Sequence, residues 1–121
     1  MKLIYIGGPF RSPAPNGQQN HWGIQTNVMR AMALALEVWQ RGHAALCPHA
    51  NTMFFQNAAE DAVWLAGDLE MLRRCDAILL TENWEQSAGA RNEVSAARQA
   101  GLPVFYTIDD LDRFLADAAQ P

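Results

Sequence analysis

The residues best suited to chemistry lie in the stretch Trp84 to Glu93, which follows the almost entirely apolar run Asp76 to Leu80. A run of this kind is typical of a buried parallel strand, and the small residues after it are typical of a strand-to-helix turn. Ser87 is a favourable N-cap, so the first free N–H groups of the following helix are expected from Ala88 to Ala90. A helix N-terminus of this kind can bind a phosphate or a sugar.

Glu93 stands at the edge of an apolar helical stripe. A rotation of about 100° per residue puts Ala90, Val94 and Ala97 on one face, with Glu93 at its margin. A carboxylate turned toward a sheet is costly unless it is paired or used in function. The residues leave two interpretations open: a catalytic or binding carboxylate, or a marginal Glu that pairs with a neighbouring arginine.

Asp68 has a similar position on a second predicted helix, from about Ala59 to Arg74. The apolar stripe of that helix is expected to contain Asp61, Leu65, Leu69 and Leu72. Taken by itself, Asp68 is best interpreted as part of a flanking salt bridge.

Two further groups of residues follow predicted strands. Gly7 and Gly8 end the first strand, and two glycines permit close approach of the backbone to a ligand. His49 and Asn51 follow a short second strand that Pro48 stops, in a loop at the edge where open parallel sheets bind ligands. His49 could donate to a ligand or act as an acid, although a lone loop histidine is more often structural.

The elements that must position these residues alternate along the chain. Strands are predicted at Leu3–Ile6, Ala44–Cys47, Asp76–Thr81 and Pro103–Tyr106, and helices at Trp22–Arg41, Ala59–Arg74, Ser87–Ala100 and from Asp109 onward. Because parallel strands need right-handed crossovers, we predict a flavodoxin-like or Rossmann-like three-layer α/β sandwich. The sheet is expected to have four to five parallel strands in the order 2-1-3-4. The first helix should pack on it through Val28, Met29, Met32, Leu36 and Trp39, and the last through Leu111, Phe114 and Leu115.

That strand order has a consequence for the candidate residues. Its switch point lies between the first and third strands, where open α/β sheets bind their ligands. The loop containing Gly7 and Gly8 should therefore meet the helix N-terminus at Ser87, close to Glu93.

Composition limits the class of protein. The 121 residues suit one domain, expected to span residues 1–121, and the net charge of -4 argues against a nucleic-acid polymer as partner. Cys47 and Cys75 fit no metal or disulfide pattern, and no apolar stretch has the length of a signal-peptide core or a membrane span. We expect a cytoplasmic protein with reduced thiols and no membrane contact. The aromatic residues Phe54, Phe55, Trp64 and Trp84 favour a homo-oligomer.

Three motifs share an order and spacing with a known superfamily. They are Ile6-Gly7-Gly8-Pro9-Phe10, Asp68 ahead of Leu72-Arg73-Arg74-Cys75-Asp76-Ala77, and Ser87-Ala88-Gly89-Ala90-Arg91-Asn92-Glu93 followed by Gly101-Leu102-Pro103-Val104. From about Met1 to Tyr106 the chain resembles the nucleoside 2-deoxyribosyltransferase superfamily. More narrowly, it is similar to small uncharacterised bacterial and phage proteins with a Trp-x-x-Ser-x-Gly-Ala-x-x-Glu signature.

The resemblance implies roles for particular residues. Glu93 would attack C1′ of a nucleoside or nucleoside 5′-monophosphate, and a second base or water would resolve the glycosyl-enzyme ester. Asp68 would bind the sugar or help to protonate the leaving base, Tyr5 would position Glu93, and the turn containing Ser87 and Gly89 would hold the 5′ end. The other expected substrate-binding residues are Gly7, Gly8, Pro9, Phe10, Arg11, His49, Asn51, Trp84 and Ala90. No cofactor or metal is implied.

Other functions stay open at this point. The same helix N-terminus could serve a non-catalytic nucleotide-binding or sensing module, and the choice between transfer and hydrolysis is undecided. A receiver-like interaction domain is disfavoured, because the chain lacks an acidic cluster after the first strand and a lysine in the late loop.

Overall fold

The sheet has four parallel strands in the order β2-β1-β3-β4, which confirms the predicted order. The structure, a computed structural model, describes residues 1–119. Its elements are β1 Leu3–Gly7, α1 His21–Gln40, β2 Ala44–Leu46, α2 Pro48–Asn51, α3 Asp61–Arg73, β3 Ala77–Leu80, a 3-10 turn at Trp84–Gln86, α4 Ala88–Gln99, β4 Val104–Phe105 and α5 Ile108–Ala119. Cys47 and Cys75 are free. None of the helices over residues 1–119 has both the length and the apolar character that crossing a bilayer demands.

The central strand β1 divides the core into two layers. Successive side chains of a strand point to opposite faces of the sheet, so Ile4 and Ile6 face one layer and Tyr5 faces the other. Ile4 and Ile6 pack with α1 and α5, whereas Tyr5 packs with α3 and α4. The alternation in β1 thus directs the Tyr5 side chain toward the helices that carry Asp68 and Glu93.

Helix α1 packs on the sheet through a different stripe from the one predicted. Its buried residues are Val28, Ala31, Ala35 and Val38. Of the predicted core residues, Val28 is buried, but Met29 is 57%, Met32 37%, Leu36 55% and Trp39 55% exposed. We call these four exposed residues the outer stripe. Small alanine and valine side chains let the helix lie close to the sheet. The larger side chains of the outer stripe, one residue further along, are therefore excluded from the contact between helix and sheet.

Two other predictions about helices need correction. In α3 only Leu72 is buried, while Leu65 is 55% exposed and Asp61 is exposed. Helix α3 is therefore peripheral and does not pack along the whole predicted stripe.

His49 and Asn51 lie in the short helix α2 and not in a loop, because Pro48 at its first turn fits a helix start. In α5, Leu111 and Leu115 are buried, as expected, and Phe114 packs against them.

Candidate active site

Tyr5, Asp68 and Glu93 come together from β1, α3 and α4. Tyr5 is fully buried, Glu93 is largely buried and Asp68 is half-buried. The charges of both carboxyl groups act on the Tyr5 hydroxyl, whose pKa burial raises far above its ordinary value. That hydroxyl lies within reach of Glu93, yet it makes no hydrogen bond of regular geometry. The structure thus groups one phenol and two carboxyl groups in a single layer of the core.

The environment of Glu93 holds its carboxyl group close to half-ionised at neutral pH. Burial is the main cause that raises the pKa of Glu93 from 4.5 to about 7. The negative charge of Asp68 raises this pKa further, and the Tyr5 hydroxyl opposes the rise as a hydrogen-bond donor. Burial also raises the pKa of Asp68 from 3.8 to about 6. Two carboxyl groups that exchange protons near neutrality are suited to nucleophilic or acid–base chemistry.

The N-terminus of α4 is built as predicted, with one difference. The Ser87 side chain caps the helix, because its Oγ accepts a hydrogen bond of 3.1 Å from the N–H of Ala90. Ala90 is also fully buried, so neither its side chain nor its N–H is available to a ligand. The first N–H groups of a helix have no partner within the helix. Those of Ala88 and Gly89 can therefore donate hydrogen bonds to a ligand.

Gly7 and Gly8 are explained by the neighbouring strand. A Cβ atom on Gly8 would lie 2.3 Å from Oγ1 of Thr81, and one on Gly7 would lie 2.8 Å from a methyl group of Leu80. The space beside both glycines is therefore filled by the end of β3. Close packing of two strands accounts for these residues without the ligand contact that the sequence suggested.

His49, on α2, contacts the loop between β1 and α1. Its Nε2 lies 3.1 Å from the carbonyl oxygen of Gly8 and 2.9 Å from that of Pro9, so a proton on Nε2 is donated to this loop. The ring of Phe10 packs 6.1 Å from the His49 ring. Burial lowers the pKa of His49, which keeps the imidazole neutral. These contacts favour the structural interpretation of His49 over a role as an acid.

Three other expected ligand-binding residues contact parts of their own chain. Arg11 forms an ion pair with Asp61 at the start of α3. Asn51 is exposed, and its amide is 4.0 Å from the Met71 sulfur. Trp84 stacks on Tyr106 with ring centroids 5.4 Å apart.

Trp84 also borders a groove with five residues of α4, namely Arg91, Val94, Ser95, Arg98 and Gln99. By helical geometry this face lies about 150° around the helix axis from Glu93. Trp84 packs against the core cluster that contains Tyr5 and Val94, while its groove lies on the side of α4 away from Glu93.

A family match is decisive for classification. Residues 3–106 match the family described as a domain of unknown function, DUF4406. The chain belongs to the DUF4406 family.

The DUF4406 chain also resembles a solved enzyme structure. That structure is the 2-deoxyribosyltransferase of the psychrotolerant bacterium Bacillus psychrosaccharolyticus, with a TM-score of 0.59 and 19% sequence identity. The match covers 84% of the DUF4406 chain and 69% of the enzyme. At this identity the likeness establishes a common fold. No curated protein matches the chain.

Sequence reasoning missed two features of this DUF4406 site. Thr81 is buried at the end of β3, where its hydroxyl donates to Oδ1 of Asn83 and its side chain fills the space beside Gly8. Its position directly after an apolar strand, opposite a glycine in the neighbouring strand, was the available signal. The ion pair between Arg11 and Asp61 joins the β1–α1 loop to the start of α3, and two positions so far apart in sequence leave no local signal. Within residues 1–119 no group of three or more potential metal-ligating side chains is found.

Proposed function

We propose that this DUF4406 protein cleaves or transfers the N-glycosidic bond of a nucleoside or nucleoside 5′-monophosphate. The observation that carries the proposal is the buried Glu93 carboxyl group beside Asp68 and Tyr5. A carboxylate in this setting is a suitable nucleophile for an anomeric carbon. The fold shared with a 2-deoxyribosyltransferase supports the choice of a nucleoside as substrate class.

In the proposed reaction, ionised Glu93 attacks C1′ of the sugar. The bond from C1′ to the base nitrogen breaks, and its electron pair leaves with the base. A glycosyl ester of Glu93 remains, and its bond to C1′ breaks when water or a second base attacks that carbon. The oxocarbenium-like transition state is stabilised by the negative charge of the carboxylate.

Asp68 and Tyr5 have distinct roles in this proposal. With a pKa of about 6, Asp68 is mostly ionised at pH 7 and is better suited to accept hydrogen bonds from sugar hydroxyls than to protonate a leaving base. Tyr5 donates toward Glu93 and positions it. The N–H groups of Ala88 and Gly89 at the start of α4 receive the 5′ hydroxyl or phosphate. Pro9 and Phe10 border the sugar from the β1–α1 loop.

The test is the release of free base from a panel of nucleosides and nucleoside 5′-monophosphates, measured by chromatography. We expect Glu93→Gln to reduce base release by ~1,000-fold or more, because the nucleophile is lost. The control is Glu85→Gln, which removes an exposed carboxylate from the turn before α4 and should leave activity unchanged.

Two outcomes would contradict the proposal. Full activity of Glu93→Gln on an authentic substrate would show that Glu93 is not the nucleophile. A nucleotide that raises the melting temperature of the protein, yet stays unaltered after long incubation, would instead support a binding or sensing module.

A further inference from the structure

Helix α1 carries two apolar stripes that are offset by one residue. The inner stripe of Val28, Ala31, Ala35 and Val38 is buried against the sheet. The outer stripe, Met29, Met32, Leu36 and Trp39, has the same three–four–three spacing, but each of its side chains is between 37% and 57% exposed. A helix that is apolar on two sides is normally buried on both. Within residues 1–119, the rest of the chain covers only one side of α1.

The outer stripe forms one wall of a groove at the free edge of the sheet. The groove is bounded by Met32, Leu36 and Trp39 on one side and by β2, α2 and Met71 on the other. Strand β2 is at the end of the strand order, so its outer edge has no neighbouring strand in the part of the chain that the structure describes. Proteins usually cover an edge strand or protect it with charged residues, and Ala44–Leu46 contains no charge.

The stripe is electrically neutral, and this limits what can bind there. The positions next to it on the solvent side are Thr26, Ala33 and Gln40. The charged residues Arg30 and Glu37 lie about 120–140° around the helix axis from the centre of the stripe. A charged partner thus finds no complementary charge, whereas a second identical stripe meets no repulsion. Ala33 is small enough for two helices to approach closely.

The apolar area is of the order that an interface between two copies requires. Four large side chains at about half exposure present on the order of 400 Å². A stable dimer buries about 800 Å² per partner, and the walls of the groove and Trp22, which is 76% exposed, extend the patch toward that value. The spacing of the stripe is the a/d spacing with which two helices pack together.

We infer that the outer stripe of α1 is the interface of a homodimer, in which it packs against the same stripe of a second copy. A two-fold axis brings the same patch of both copies together, and a neutral apolar stripe beside a groove is self-complementary. The interface differs from the four aromatic residues that the sequence suggested. Trp64 and Trp84 are half-buried within their own chain, whereas Phe54 and Phe55 are exposed but lie outside the outer stripe.

The test is sedimentation equilibrium of the wild-type protein and of two variants matched in exposure. Leu36→Glu introduces a charge into the outer stripe, and Leu65→Glu introduces the same charge on α3, where the leucine is also 55% exposed. We expect a wild-type dimer, a ~100-fold or greater increase in the dissociation constant for Leu36→Glu, and no change for Leu65→Glu. Circular dichroism checks that each variant is folded.

If Leu36→Glu does not fold, Met29→Lys tests the same stripe at a residue that is 57% exposed. A wild-type protein that is monomeric up to ~100 µM would overturn the inference. So would a dimer that Leu36→Glu and Met29→Lys leave intact, or one that Leu65→Glu dissociates instead.

Discussion

The buried carboxyl groups make the stability of this protein depend on pH. In the folded state the pKa values of Glu93 and Asp68 are about 7 and about 6, compared with 4.5 and 3.8 for the free side chains. Between each pair of values the unfolded chain binds fewer protons than the folded chain, so stability falls as the pH rises. The free-energy cost of ionising these two carboxyl groups in the folded state is complete above about pH 7 and absent below about pH 4.

Replacing Glu93 by Gln should therefore stabilise the protein at alkaline pH. We expect a gain of about 1–3 kcal/mol at pH 8, seen as a rise of several degrees in the melting temperature, because the cost of ionising a buried carboxyl group is removed. The gain should shrink to a few tenths of a kcal/mol near pH 4.5, where Glu93 is protonated in the folded state and half-protonated in the unfolded chain, roughly the free energy of one half-titrated group. Differential scanning calorimetry at both pH values measures it. An equal gain at both would show that ionisation is not the cause.

Asp68 should control the pH at which Glu93 ionises. Its negative charge raises the pKa of Glu93, so Asp68→Asn should lower that pKa. For the proposed nucleophile, the acid limb of the profile of kcat/KM against pH should then move to lower pH, even as the maximal rate falls. NMR titration of the Glu93 carboxyl carbon provides a readout that does not depend on activity. An unchanged limb and an unchanged titration would refute the electrostatic coupling.

At the scale of residues, the sequence was informative where the chemistry is local. The cap at Ser87 and the marginal position of Glu93 both follow from helical periodicity, and the structure places them accordingly. The role of His49 depends on carbonyl groups 40 and 41 positions away along the chain, which no local pattern reveals. The same holds for the contact between Gly8 and Thr81.

At the scale of elements, the carboxyl ends of β1 and β3 fit together through a glycine and a threonine. A Cβ atom on Gly8 would lie 2.3 Å from Oγ1 and 2.8 Å from Cγ2 of Thr81. Any side chain at Gly8 must therefore displace Thr81 or separate the strands. This contact fixes the loop that follows β1 relative to β3 and, through β3, relative to α4.

Gly8→Ala is expected to destabilise the protein by about 1–3 kcal/mol, because the added methyl group overpacks the site. Thr81→Ala should recover part of the loss, since its remaining Cβ atom lies 3.1 Å from the new methyl group. A double-mutant cycle by urea denaturation measures the coupling. The control is Gly67→Ala in α3, where a Cβ atom meets nothing within 4 Å and about 0.5–1 kcal/mol of stabilisation is expected. Additive effects of Gly8→Ala and Thr81→Ala would contradict the steric account.

The error at α1 has a physical cause at this scale. Its two stripes have the same period, so periodicity identifies a helix but does not say which stripe faces the sheet. The more hydrophobic stripe contains Met, Leu and Trp, and this made it the natural choice for the core. The inner stripe faces the sheet instead, because the small side chains of Ala31 and Ala35 allow the helix to lie close to β1.

At the scale of the molecule, the sheet order could be predicted because the connections allow few arrangements. Strands that alternate with helices give a parallel sheet with right-handed crossovers, and the observed order is β2-β1-β3-β4. Contacts between two copies of the chain do not follow from these connection rules. The outer stripe is defined by the exposed fractions of Met29, Leu36 and Trp39, which depend on the packing of the whole chain.

A dimer through α1 would also affect thermal unfolding. Because association stabilises the folded state by mass action, the melting temperature of the wild-type protein should rise with protein concentration. In Leu36→Glu it should be independent of concentration. Scanning calorimetry over a ~50-fold range of concentration measures the difference. A wild-type melting temperature that does not change over this range would contradict the inferred dimer.

The alternation of side chains in β1 has a practical consequence for engineering. Tyr5, Asp68 and Glu93 all belong to the layer of α3 and α4, and the layer of α1 and α5 contains none of them. Mutant libraries directed to the interior of the α1–α5 layer can therefore be selected for heat tolerance without altering the three side chains. Libraries directed to α3 and α4 would vary the proposed substrate site. The sheet acts as a partition that allows the two properties to be optimised in separate experiments.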